Sequence, residues 1–388
     1  MTTKIFHTFA ALFCIGSLLY FSTATPPEEK PNKATGLALT HVMGAAQQSG
    51  FHQAIQPRLF QFPADHGPHP TFKQEWWYVT GNVSSEQPKR DFGFQWTLFR
   101  VGLTATPPLR PSAWATSEIY MGHLAVTDIQ SDQFYPAQKL ARPALQMAGA
   151  QANPFRAWIE NWQLVQKGGE PNKPILQLSA QTDLISLELT LEAIKEVVLQ
   201  GDQGLSQKNS QPGNASYYYS LPRLKSTGTL AIKGQTFTVN GLSWMDREWS
   251  TSALAADQVG WDWFSLHLSD GSDLIYYQIR NQEGKADPVS QGALIDSDGN
   301  KRVIRASDIQ LTVLNHWTSP TSHSVYPSGW KLVVPGLNLS LILTPAIKNQ
   351  ELNQTLVTYW EGAVTVDGVY DGKKIGGKGY GELTGYDR

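Results

Sequence analysis

Ser243-Trp244-Met245-Asp246-Arg247-Glu248-Trp249-Ser250 sets three charges of mixed sign between two tryptophans, and Gly260-Trp261-Asp262-Trp263-Phe264 follows it closely. Bulky aromatics at this density read as strand. In an extended chain the period of two puts Trp244, Asp246 and Glu248 on one face and Met245, Arg247 and Trp249 on the other. Two carboxylates then share a wall with an indole, ~7 Å apart by strand rise. Desolvating a charge costs several kcal/mol unless ion pairs and hydrogen bonds offset it. The segment is therefore either a structural ion-pair corner or the lining of a site.

The flanking chain carries the same signature. Glu75-Trp76-Trp77-Tyr78-Val79-Thr80-Gly81 reads as a strand, and Phe92, Phe94, Trp96, Leu98 and Arg100 share one face of the next. Leu187, Leu189 and Leu191 alternate, as do Leu337, Leu339, Leu341 and Leu343. Leu230 and Ile232, a Lys-Gly-Gln turn, then Phe237 and Val239 have hairpin spacing. Strands recurring at short intervals, with almost no helical period, predict an all-β barrel or sandwich architecture. Glu75-Trp76-Trp77 leads to a strand ending in Arg100, and Glu248-Trp249 leads to one ending in Arg280. This loose echo favours two similar β domains, expected over residues 56–248 and 249–388.

The chain has 388 residues and 41% hydrophobic content, enough for substantial cores. A formal net charge of −2 supplies no basic field for nucleic acid and no polybasic membrane patch. The one cysteine, Cys14, excludes an intramolecular disulfide. Lys4, an apolar run from Ile5 to Phe21 and the small residues Ser22-Thr23-Ala24 read as a signal peptide or single anchor over residues 1–24. A linker over 25–55 would follow. The mature protein is then expected outside the cytoplasm, periplasmic or anchored by this segment.

His66 and His69, with Asp65 beside them, are broken up by Pro68 and Pro70 and fall short of a metal-ligand set. No Gly-x-Ser-x-Gly elbow and no phosphate-binding loop is present. We expect no metal and no cofactor. Three readings of the acidic, aromatic wall stay open. Asp246 or Glu248, raised in pKa by apolar surroundings, could protonate an alkene while indole faces shelter the cation. The same wall could only bind an apolar ligand, with Arg and carboxylate groups orienting a polar head. Asp, Glu and Trp also serve sugar clefts. Glu75 and Arg100 read as an internal ion pair near a barrel end, while Trp76, Trp77, Trp261 and Trp263 are core or ligand cover. His123 sits among apolar neighbours, His267 shares a face with Trp261 and Trp263, and either Tyr276 or Tyr277 could supply a phenol.

Several motifs together resemble the AttH-like family, whose relatives include the carotenoid 1,2-hydratases. They are Phe62-Pro63-Ala64-Asp65-His66-Gly67, Glu75-Trp76-Trp77-Tyr78-Val79-Thr80-Gly81, Leu199-Gln200-Gly201-Asp202, Tyr217-Tyr218-Tyr219-Ser220, Trp244–Trp249, Gly260–Phe264, Trp360-Glu361-Gly362 and Gly379–Tyr386. The resemblance implies two lipocalin-like β-barrel domains packed together with a ligand site near their interface. It also implies export, association with an ABC-type transporter, and hydratases or cyclising enzymes among the relatives. Arg247 stands where the hydratase branch leads one to expect His, and Arg is a poor proton shuttle. The first expectation is thus a carrier for an apolar, isoprenoid- or lipid-like molecule, accessory to an envelope transporter. The alternative is a cofactor-free hydratase or cyclase with Asp246 as proton donor and Glu248 or His267 placing water. Ligand contacts are expected from Trp244, Arg247, Trp249, Trp261, Trp263, Tyr276, Glu75, Trp77 and His123.

Overall fold

The computed structural model describes residues 37–38, 50–106, 112, 114–251, 254–255, 257–353 and 357–386. The expected signal or anchor segment with Cys14, and most of the linker, lie outside the described residues. The described residues are all-β: a 13-stranded sheet, an 11-stranded sheet and a small two-stranded one, with short 3-10 turns as their helical elements. The first sheet runs from Gln74 to Ser250, and the second is built from Gln258 onward with the short strand Leu37–Ala38 added in parallel to Val357–Tyr370. The 248/249 division thus falls two residues inside the end of the strand Gln235–Ser250.

Alternation decides where each side chain goes. Trp77, Val79, Phe94, Trp96, Leu98 and Met245 point into a core that the first sheet curls around. Its edge strands Gln133–Ala141 and Ala148–Ala152 come round without pairing, leaving a near-closed barrel. Phe264, Leu266, Trp330, Leu341 and Trp360 fill a separate core inside the second sheet. The Lys-Gly turn forms as expected: Ile232 pairs with Gln235, and Lys233 and Gly234 take φ of 49° and 82°, the twist that suits a two-residue hairpin.

Several strands are buried on both faces. Tyr78, Tyr218 and Trp244 on the outside of the first sheet pack with Trp263, Ile275, Tyr277, Ala363 and Tyr380 on the outside of the second. Each buried aromatic contributes ~1.5–3 kcal/mol relative to exposure, so the two sheets hold together as one body. Gly93 permits the close approach, since a Cβ there would stand 2.7 Å from the Ala363 Cβ. At one end Asp273 of the second sheet, fully buried, bonds Lys195 Nζ at 2.8 Å and Arg223 at 2.8 Å from the first-sheet side. A buried carboxylate flanked by two cations resists separation, because losing either partner strands a charge.

Candidate active site

Register places the polar groups of this interface in two facing rows. In the first sheet, Ser220, Asp246, Tyr78, Thr97 and His123 lie side by side on five adjacent strands. In the second, Tyr277, Trp263, Glu382 and Glu361 do the same on four. The rows are stitched together: Trp263 Nε1 donates to the Tyr218 hydroxyl at 3.1 Å, and Tyr78 donates to Glu361 Oε1. His123 Nδ1 lies 2.8 Å from the Tyr359 hydroxyl, and Tyr277 lies 2.6 Å from Ser206.

Among the described residues three carboxyl groups here make no ion pair, although Lys208 lies near enough to Glu382 to lower it slightly. Asp246, 3% exposed, accepts from Ser220 Oγ at 2.5 Å and Trp244 Nε1 at 2.6 Å on Oδ1, and from the Tyr218 hydroxyl at 2.5 Å on Oδ2. Burial pushes its pKa up to about 7 despite those donors, with the neighbouring Glu248 adding to the rise. Glu382 takes the Trp261 indole N–H at 2.7 Å on Oε1, and burial pushes it up to about 8. Glu361, directly opposite Glu382 on the next strand, is raised well above the usual carboxylate range by burial and then by Glu382. Like charges paired across strands repel, so at least one of these two is held as the neutral acid at pH 7. Tyr78 and Tyr218, buried against carboxyls, are held well above the usual phenol range and remain protonated donors. Burial lowers His123 to about 3, so its imidazole is neutral.

The two faces of the strand Gln235–Ser250 realise both sequence readings at once. Trp244, Asp246 and Glu248 line the interface, as alternation predicts. Glu248 is set apart from Asp246 by its cation, for Lys208 Nζ stands 2.5 Å from Oε1. The opposite face is the ion-pair corner. Arg247 sits over the Trp77 ring with Cζ 4.0 Å from its centre, joins Glu75, and donates to the Gly67 carbonyl at 2.6 Å. Arg100 pairs with the same Glu75, as expected, and binds the Phe72 carbonyl at 2.7 Å. Burial alone would raise Glu75, but the Arg247 and Arg100 guanidiniums outweigh it and hold this carboxyl far below its ordinary range. Trp249 stacks on His69 at 3.8 Å in the same corner.

Four expected ligand contacts therefore belong to the end of the first barrel and not to the acid rows: Glu75, Trp77, Arg247 and Trp249. The reason is parity, since each is one residue out of phase with Trp76, Tyr78, Asp246 and Glu248. Tyr276 is also out of phase and packs in the second core, while Tyr277 occupies the interface. His267 shares the face of Trp261 and Trp263, but its Nε2 meets the Pro222 carbonyl at 2.9 Å and its ring neighbours Trp244, whose indole N–H is the group that bonds Asp246. Trp244, Trp261, Trp263 and His123 lie at the interface. Glu361, Glu382, Tyr78, Tyr218 and Tyr359 had not been singled out as site residues. The signal for the tyrosines is aromatic residues at consecutive positions, Trp77 with Tyr78, Tyr217 with Tyr218 and Tyr359 with Trp360, which marks strands buried on both faces.

The AttH-like family model matches residues 53–386. A kievitone hydratase from Fusarium solani subsp. phaseoli is 24% identical over 210 residues, spanning 53% of this chain and 58% of that protein. The crystal structure of kievitone hydratase from Nectria haematococca superposes with a TM-score of 0.65 at 16% identity, covering 87% of this chain and 98% of that one. The crystal structure of an AttH from Nitrosomonas europaea superposes with a TM-score of 0.75 at 31% identity, covering 86% of this chain and all of that one. Both the motif pattern and the paired-barrel fold are accounted for by these relationships: the chain belongs to the AttH-like family.

Proposed function

We propose that the protein is a hydratase-like enzyme that protonates a carbon–carbon double bond of an apolar small molecule held between the two sheets and adds water to the cation formed. One observation carries this reading: Asp246 and Glu361 are buried and Glu382 half-buried, none of them ion-paired among the described residues, and they are interleaved with the rings of Tyr78, Tyr218, Trp261 and Trp263. A carboxyl kept neutral at pH 7 is a general acid ready to donate, the role in which such groups contribute roughly 10²–10⁴-fold to rate. Electron-rich indole and phenol faces favour a neighbouring carbocation. The sequence put a carrier first and a hydratase or cyclase second. The buried acids, together with the relationship to a kievitone hydratase, reverse that order, because a carrier of apolar cargo gains nothing from carboxyls stored at this cost.

The reading is tested by incubating the protein with kievitone and with acyclic isoprenoid and prenylated aromatic alkenes in water enriched in oxygen-18. The expected product gains one water, with the heavy oxygen bound to carbon. Recovery of every alkene unchanged, from protein that binds them, would favour the carrier.

A further inference from the structure

Asp246 is the best-connected acid of the interface, and that counts against it as the donor. Both of its oxygens already accept hydrogen bonds, three in all, from Ser220, Trp244 and Tyr218. Every one of them favours the anion, and together they fix the carboxyl against Trp244. Glu361 differs. It is fully buried, its Oε1 accepts from Tyr78, and its Oε2 has no partner. His123, also fully buried, has Nδ1 engaged by Tyr359 and Nε2 without a partner. An unpaired buried polar atom costs ~1–3 kcal/mol. With the Tyr380 hydroxyl also unpartnered, three such atoms fall in one neighbourhood, where a ligand and a water would gain hydrogen bonds.

These residues are also neighbours. Tyr359 and Glu361 are two apart on one strand and point the same way, and Tyr359 holds His123. Tyr78, which holds Glu361, shares a registered row with His123, separated by Thr97. The groups facing this end include Tyr78, Gln95, Thr97 and His123 from the first sheet and Tyr359, Glu361, Glu382 and Tyr380 from the second.

Resting on the hydratase reading above, we infer that Glu361 delivers the proton through Oε2 and that His123 Nε2 takes one from the attacking water, placing the reacting double bond at the Glu361–His123 end of the interface. In the first step the Glu361 O–H bond breaks and its proton forms a C–H bond with one alkene carbon, whose π pair supplies the electrons. Water then bonds to the cationic carbon and releases a proton to His123, in the tautomer whose Nδ1–H donates to Tyr359. An oxonium ion is a far stronger acid than the imidazolium, so the low proton affinity of His123 is sufficient. It is also useful, because the imidazolium, at about 3, is in turn more acidic than Glu361 and returns the proton to it. The cycle closes with alkene and water consumed and an alcohol formed. Asp246 is a positioning residue for Trp244 and Tyr218.

The experiment compares Glu361→Gln, Asp246→Asn and His123→Gln on whichever alkene the wild-type protein hydrates, with thermal melting to confirm folding. Glu361→Gln keeps the Tyr78 acceptor and should lower kcat by roughly 10²–10⁴-fold with little change in KM. His123→Gln should also lower kcat, and Asp246→Asn should lose less than either. A second readout is the pH profile. Glu361 must be protonated, so kcat/KM falls as pH rises through its pKa. Tyr78→Phe removes the bond that favours the anion and should move that limb to higher pH. Wild-type kcat in Glu361→Gln, greater loss in Asp246→Asn, or an unmoved limb in Tyr78→Phe would each overturn the assignment while leaving a hydratase. Absence of turnover in the wild-type protein would instead overturn the hydratase reading and this assignment with it.

Discussion

Glu382→Gln removes one ionisable group from the interface while keeping an oxygen for the Trp261 indole, which makes it a clean probe of the buried acids. The folded protein holds this carboxyl at about 8 against an ordinary value of 4.5. Between those two values the native state binds a proton that the unfolded chain has released, so native stability falls as pH rises through the window. Stability is flat for this group below 4.5 and the loss levels off above about 8. The slope is ~1.4 kcal/mol per pH unit and the full loss ~5 kcal/mol, a ceiling that water entry around the ionised group reduces. The glutamine variant lacks this contribution and also relieves Glu361, whose rise Glu382 adds to. Urea unfolding followed by tryptophan fluorescence at pH 5 and pH 8 should show the variant gaining at least ~2 kcal/mol on the wild type between the two. Curves that stay parallel across this range would mean Glu382 is ionised in the native state, and the argument from burial would fail.

Two further expectations follow from the ion pairs. Asp273→Ala strands Lys195 and Arg223 at the sheet interface and should destabilise the protein by ~3–5 kcal/mol in the same urea assay, well beyond the effect of an exposed carboxylate. Arg247→Met should cost ~3 kcal/mol at pH 7, because Glu75 is left with Arg100 and His69 alone. Since Glu75 is depressed in the folded state, the stability it supplies is present above its ordinary value of 4.5 and is lost as pH falls. The gap between variant and wild type should therefore narrow in acid, and a gap that widens would refute the pairing.

The period of two made much of this architecture legible before any coordinates. It separated Trp244, Asp246 and Glu248 from Arg247 and Trp249, and the structure puts those faces in two different environments, one an acid-lined interface and the other a barrel end. It also gave the Glu75–Arg100 pair and the turn at Lys233. What it could not give was which outward face meets another sheet. Tyr78 and Glu361 are 283 residues apart, and Glu361 and Glu382 become a pair only through register. Glu361 is also followed by Gly362, and Glu382 is preceded by Gly381, so neither strand shows the alternation that drew attention to Asp246. The choice between Tyr276 and Tyr277 was likewise undecidable along the chain. Both are buried, and only the position of the second core separates them.

Infrared spectroscopy of the ligand-free protein at pH 7 tests the central claim most directly, because a neutral carboxyl has a C=O stretch well separated from that of the carboxylate. The account predicts absorption from buried carboxylic acids that shifts in heavy water and loses intensity separately in Glu361→Gln and in Glu382→Gln. A spectrum with no such absorption, or one that neither variant changes, would show the interface carboxyls ionised and contradict the reading of this site as a store of protons for an alkene.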